Sequence, residues 1–216
     1  MRKLILVFVV IGLFCSCLSC SGGGEVEGET EAEVLLSDDF SDSTSGWSEY
    51  DLGVEGTAAY DNGQLKLRNY TSNELSTGSW LMQSFSDFNL EVETKLISGS
   101  DDNWHTVGFR AQDEDNSYEF GISADGYYTL VKWVDGESTI LKDVTYSGYI
   151  NTGQGETNTM CVLCDGNVIK AYVNGHLLVS VTDNTYTSGY LSLACTCLGG
   201  GNLSQIVFDN LEIKSV

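Results

Sequence analysis

The chain has 216 residues, with 31 acidic against 10 basic side chains and a formal net charge of −21. That balance excludes a nucleic-acid partner, whose phosphates need a basic surface, and it excludes electrostatic attraction to anionic headgroups as a route to a membrane. With 11 Tyr, 8 Phe and 4 Trp the sequence is too aromatic for a disordered chain, and its bias to Thr, Val and Tyr over Ala, Lys and Arg favours strands.

Arg2 and Lys3 precede an apolar run over residues 4–14, which falls short of the ~20 residues that cross a bilayer as a helix and has the length of an export signal. The run ends in Cys15, Cys17 and Cys20 and passes into "SGGGEVEGETEAE", which is small, flexible and acidic. This junction resembles the lipobox of bacterial lipoproteins, in which a cysteine carries the lipid and becomes the mature N-terminus. The resemblance implies a signal over residues 1–20, lipidation of Cys20 with Cys17 as the alternative, and a tether over residues 21–34. It also implies an exported lipoprotein at the bacterial cell surface that touches the membrane through its lipid anchor only.

Residues 35–216 suffice for one domain with an ample core. From "VLLSDDF" onward the sequence breaks into short alternating runs about every ten residues, punctuated by Asn62-Gly63, Asp125-Gly126, Asp135-Gly136, Asp165-Gly166 and Asn174-Gly175. Each pair can take the positive φ of a tight hairpin. In "FNLEVETKLI", Phe88, Leu90 and Val92 face one way and Glu91, Glu93 and Lys95 the other, with the period of two that marks a half-buried strand. "HTVGFRA" sets Val107, Phe109 and Ala111 against Thr106, Gly108 and Arg110, and "NSYEFGIS" sets Tyr118, Phe120 and Ile122 against Glu119 and Ser123. "GYYTLVKW" buries Tyr128 and Leu130 and turns Tyr127, Thr129, Val131 and Trp133 outward. Many such strands imply an all-β, two-sheet antiparallel sandwich.

"GFRAQDEDNSYEFGISADGYYTLVKW", "VIKAYVNGHLLVSVTD", "SGYLSLA" and "VFDNLEI" together resemble the concanavalin A-like lectin/glucanase jelly rolls, nearest to the 3-keto-disaccharide hydrolase (glucan 1,3-beta-glucosidase-related) domains, over residues 35–214. The resemblance specifies a jelly roll. For function it implies carbohydrate binding, glycoside hydrolysis or plain adhesion, because all three occur on this fold.

Collecting the outward residues gives Glu91, Glu93, Arg110, Glu119, Tyr127 and Trp133 as candidates for one ligand-binding face, on which rings would stack against sugars and charged groups would hold hydroxyls. The partner expected of such a face is a glycan or another surface polymer. An ordinary solvated face with an Arg110–Glu119 pair is the plainer alternative. Glu91 and Glu93 stand about 6.6 Å apart along a strand, a spacing compatible with glycosidase carboxylates, but the Glu-x-Asp-x-x-Glu pattern of related glucanases meets Leu96 at its third acid. Catalytic residues are therefore assigned to none.

Cys161 and Cys164 in "MCVLCDG" and Cys195 and Cys197 in "ACTCLGG" are disulfide candidates. Neighbours within each motif are too far apart on an extended strand to bond each other, so a bridge is expected between the motifs. Zinc held by the same four thiols is the competing idea. No cofactor is called for, although carboxylate clusters at Asp38, Asp39 and Asp42 and at Asp113, Glu114 and Asp115 leave room for structural calcium. His176 is read as a hairpin residue, His105 as a candidate for the rim of a ligand site, and Asp209 as a structural hydrogen-bond acceptor.

Overall fold

The computed structural model describes residues 32–53, 56–70, 76–198 and 204–216, so the signal, Cys17, Cys20 and nearly all of the tether lie outside the described residues. Fifteen strands and no helix occur among the described residues. In chain order they are β1 (Val34–Asp38), β2 (Tyr50–Asp51), β3 (Gly56–Tyr60), β4 (Leu65–Asn69), β5 (Ser76–Phe85), β6 (Phe88–Ser98), β7 (Trp104–Asp113), β8 (Asn116–Ser123), β9 (Tyr127–Val134), β10 (Glu137–Tyr146), β11 (Thr157–Asp165), β12 (Val168–Val173), β13 (His176–Thr182), β14 (Gly189–Thr196) and β15 (Ser204–Lys214). They build the expected antiparallel sandwich. A nine-stranded sheet runs β13-β12-β11-β6-β15-β4-β3-β2, with β1 also on β15, and faces a six-stranded sheet in the order β10-β9-β8-β7-β14-β5.

Turn chemistry explains the short connections. All five expected pairs lie at hairpins, and in Asn62-Gly63, Asp135-Gly136 and Asn174-Gly175 both residues have positive φ, as a turn matching the strand twist requires. The core is made of the predicted alternate residues: Phe88, Leu90, Val92, Val107, Phe109, Tyr118, Phe120 and Leu130 are fully buried.

Two of the buried polar residues depart from the sequence reading. His105 faces inward, where its Nδ1 lies 2.8 Å from Thr94 Oγ1 on β6, a bond that crosses between the sheets. Burial drives its pKa down to about 3, so the ring is neutral, and the rim role expected of His105 is excluded. Arg110 is the larger departure. It was expected on the outward face beside Thr106 and Gly108, yet it is fully buried with a positive φ of 48°. The cause is a bulge: β7 and β8 pair evenly to Phe109–Tyr118 and then skip to Asp113–Asn116, which reverses the facing of the residue between.

The four described cysteines are free thiols, and the expected bridge between the two motifs is not formed. Cys161 points out of the nine-stranded sheet, away from Cys195 on the inward face of β14 and from Cys197 just beyond it, while Cys164 and Cys195 share the core without bonding. The thiols that do meet are Cys195 and Cys197, because Cys197 follows the last residue of β14 and is free of extended geometry. Their contact lowers Cys197 to about 7 and raises Cys195.

Candidate functional site

The outer face of the six-stranded sheet is organised in rows set by strand register. The central row is Thr129, Gly121, Thr106, Ala194 and Gly78, on β9, β8, β7, β14 and β5 in turn. These small side chains form a floor. On one side runs Ser123, Trp104, Thr196 and Ser76, and on the other Val131, Glu119, Gly108, Ser192 and Trp80. A depression of about 180 Å³ sits over the centre, lined by Trp104, Thr106, Glu119, Gly121, Thr129, Val131 and Trp133 among others.

Within it Trp133 Nε1 donates to Glu119 Oε2 at 3.0 Å. Burial raises the Glu119 pKa above the ordinary carboxylate range, and the Trp133 hydrogen bond only partly opposes this. Gly121 makes room for the other ring: a Cβ there would lie 3.3 Å from Trp104 Cε3, so the indole leans across β8 where a side chain would stand. Two indoles thus flank one partly desolvated carboxylate above a flat floor. Such an arrangement can stack on apolar faces of a ring-shaped ligand while accepting hydrogen bonds from its hydroxyls.

Of the six residues expected on one face, the structure brings Glu119 and Trp133 together in the depression and sets Tyr127 on the same face farther along β9. Tyr127 is on the same outward side of β9 and meets Tyr146 of β10 edge-on, with ring centroids 5.7 Å apart. Arg110 is buried, and Glu91 and Glu93 belong to the other sheet, so the six-residue face is corrected to three. The error has a physical source. Alternation tells which side of its own strand a residue occupies, but not which sheet that strand joins. Trp104 was missed as a site residue, although its phase, opposite to Val107 and Phe109, places it outward.

Glu91 and Glu93 stand directly across from Glu212 and Asp209 on β15, with Cys161 and Thr159 on their other flank. A larger depression of about 440 Å³ lies there, but among the described residues Tyr172 is its one aromatic ring, and its thiol, Cys161, already donates to Asn89 Oδ1 at 3.1 Å. Asp209 accepts from Gln64 Nε2 and from the Asn210 amide, the structural role expected of it. His176 opens β13 just after its hairpin turn and stacks on Tyr149 at 3.9 Å. Four of the six carboxylates considered for calcium serve turns: Asp38, Asp39, Asp42 and Asp113 accept the amides of Phe40, Ser41, Thr44 and Asp115. Among the described residues no three His, Cys, Asp or Glu side chains converge as a metal cage, so the zinc alternative has no site there.

A family model described as the 3-keto-alpha-glucoside-1,2-lyase-like domain matches residues 33–214. The fold is similar to that of the carbohydrate-binding module CBM66 from Bacillus subtilis, at 18% identity and a TM-score of 0.63 over 79% of this chain and 96% of that one. It is also similar to a Bacillus subtilis protein of unknown function with a galectin-like fold, at 14% identity and a TM-score of 0.61 over 84% and 96%. The catalytic domain of an endo-1,3-beta-glucanase (laminarinase) from Thermotoga petrophila matches at 11% identity and a TM-score of 0.61 over 86% and 98%. At such identities the likeness shows the fold alone, a two-sheet jelly-roll sandwich. No curated protein matches the sequence.

Proposed function

The chain belongs to the 3-keto-alpha-glucoside-1,2-lyase-like domain family, and from that premise we propose that it is an exported, lipid-anchored cell-surface domain that holds carbohydrate or another surface polymer without cleaving it. One observation carries this reading: Trp104 and Trp133 flank the Glu119 carboxylate over a floor of glycine, alanine and threonine. Indole faces match the C–H faces of pyranose rings, and a carboxylate kept partly dry makes stronger hydrogen bonds to hydroxyls than one in water. Anchoring through a lipid on Cys20, or on Cys17, places this face at the cell surface. The reading requires no cofactor.

Glycoside cleavage is the second reading. The family description favours it, and so does the raised pKa of Glu119, which suits a general acid. Against it, ordinary glycosidases need two carboxylates about 5 to 9.5 Å apart, and among the described residues Glu119 is the one carboxylate lining this depression. A printed glycan array probed with residues 33–216, together with a reducing-sugar assay on each bound glycan, separates the readings. Specific binding that Trp104→Ala abolishes, with no product released, supports the binding domain. Release of product establishes an enzyme, and neither binding nor release leaves a purely adhesive domain.

A further inference from the structure

The central depression continues toward the β5 edge of the sheet. In the row that contains Glu119, the next positions are Gly108 and Ser192, and then Trp80. Trp80 therefore stands three strands from Glu119, about 14 Å away at the usual interstrand spacing, with only a bare backbone and a hydroxymethyl group between. Around Trp80 lies a second depression of about 330 Å³ whose apolar wall is Trp80, Met82 and Tyr190 and whose polar rim is Gln112, Asp113 and Glu114. Met82 is 66% exposed, and nothing in the fold requires this apolar group to face solvent.

From this we propose that the face is one extended trough rather than a single-sugar pocket. Trp80 provides a second stacking position, and the ligand is an internal stretch of a linear polysaccharide lying across the strands. The inference rests on the carbohydrate reading above and goes beyond it by fixing the ligand class. A compact terminal sugar fills only the central depression. A linear chain of several pyranose units reaches both, because in the row between Glu119 and Trp80 only Gly108 and Ser192 intervene.

Size ladders from monosaccharide to hexasaccharide of β-1,3-glucan, β-1,4-glucan, fructan and β-1,4-linked N-acetylglucosamine test this, titrated calorimetrically against residues 33–216. Affinity should climb with chain length until the ligand spans both tryptophans. Trp80→Ala should weaken the hexasaccharide roughly tenfold and leave the disaccharide unchanged, while Trp104→Ala weakens both. Trp80→Tyr, which keeps a flat ring, should restore most of the loss, and an unchanged melting temperature shows that each variant is folded. Binding already complete at the mono- or disaccharide and indifferent to Trp80→Ala overturns the extended trough while leaving the carbohydrate reading intact. No binding to any ladder overturns both.

Discussion

Glu119 is the residue on which recognition turns. Its carboxylate is partly buried and held by the Trp133 indole, and the same desolvation that raises its pKa strengthens any hydrogen bond it accepts. The charged form is the stronger acceptor and protonation turns one oxygen into a donor, so affinity should fall as the pH drops through the raised Glu119 titration, above the ordinary glutamate value of about 4.3. Titrating the bound glycan across mildly acidic pH should show this decline. Glu119→Gln should bind more weakly at neutral pH and lose the dependence, and a decline that persists in that variant assigns it to another group. Trp104 acts beside it only because position 121 is glycine. The close approach of the ring to Gly121 is thus a feature of recognition as much as of packing.

At the scale of the elements, β7 does two jobs that its bulge keeps apart. Its first half presents Trp104, Thr106 and Gly108 to the trough, while beyond the bulge Arg110 turns inward. There Nε and Nη2 donate to Ser86 O at 3.0 and 2.8 Å, Nη1 donates to Tyr186 O at 3.2 Å, and Nη2 pairs with Asp87 Oδ1 at 3.1 Å. One guanidinium thus ties the β5–β6 turn to the segment before β14, beneath the β5 end of the trough. Arg110→Ala should destabilise the fold by roughly 3 kcal/mol by stranding two carbonyls and opening a void, as read from denaturant unfolding. Arg110→Lys should recover little, since an ammonium cannot reproduce the fork. A loss below about 1 kcal/mol contradicts the clamp.

The same strand shows what was legible beforehand. Val107, Phe109, Tyr118 and Phe120 declared their side of the sheet through the period of two, and the Asn-Gly and Asp-Gly pairs declared the hairpins, because both signals are local. The reversal at Arg110 needs a non-local cause, the skipped pairing with β8, and no pattern within "HTVGFRA" encodes it. Likewise, Glu91 and Glu93 were correctly placed on an outward face, but the separation of β6 from β7 into different sheets is decided by how distant segments pair. The thiol contact of Cys195 with Cys197 escaped for a related reason: the strand ends one residue earlier than an unbroken alternation implies.

For the whole molecule, the strong negative charge suits the proposed lipid anchor, which would hold the domain off an acidic surface rather than let it adsorb. Mass spectrometry of the protein purified from membranes should therefore find an acylated N-terminal peptide starting at Cys20, or at Cys17. An unmodified peptide starting beyond Ser21 removes the anchor from the reading and leaves the trough untouched.

Both ends of the domain lie together. Strand β1 runs antiparallel to β15, with Val34 opposite Lys214, and Glu33 and Ser215 exchange hydrogen bonds, the Ser215 amide to Glu33 O at 2.8 Å and the Glu33 amide to Ser215 Oγ at 2.9 Å. The polypeptide leaves almost where it came in. A domain built this way occupies a single point on whatever carries it, and it can be spliced into a loop of another protein, or closed into a ring and reopened at a hairpin, without re-threading either sheet.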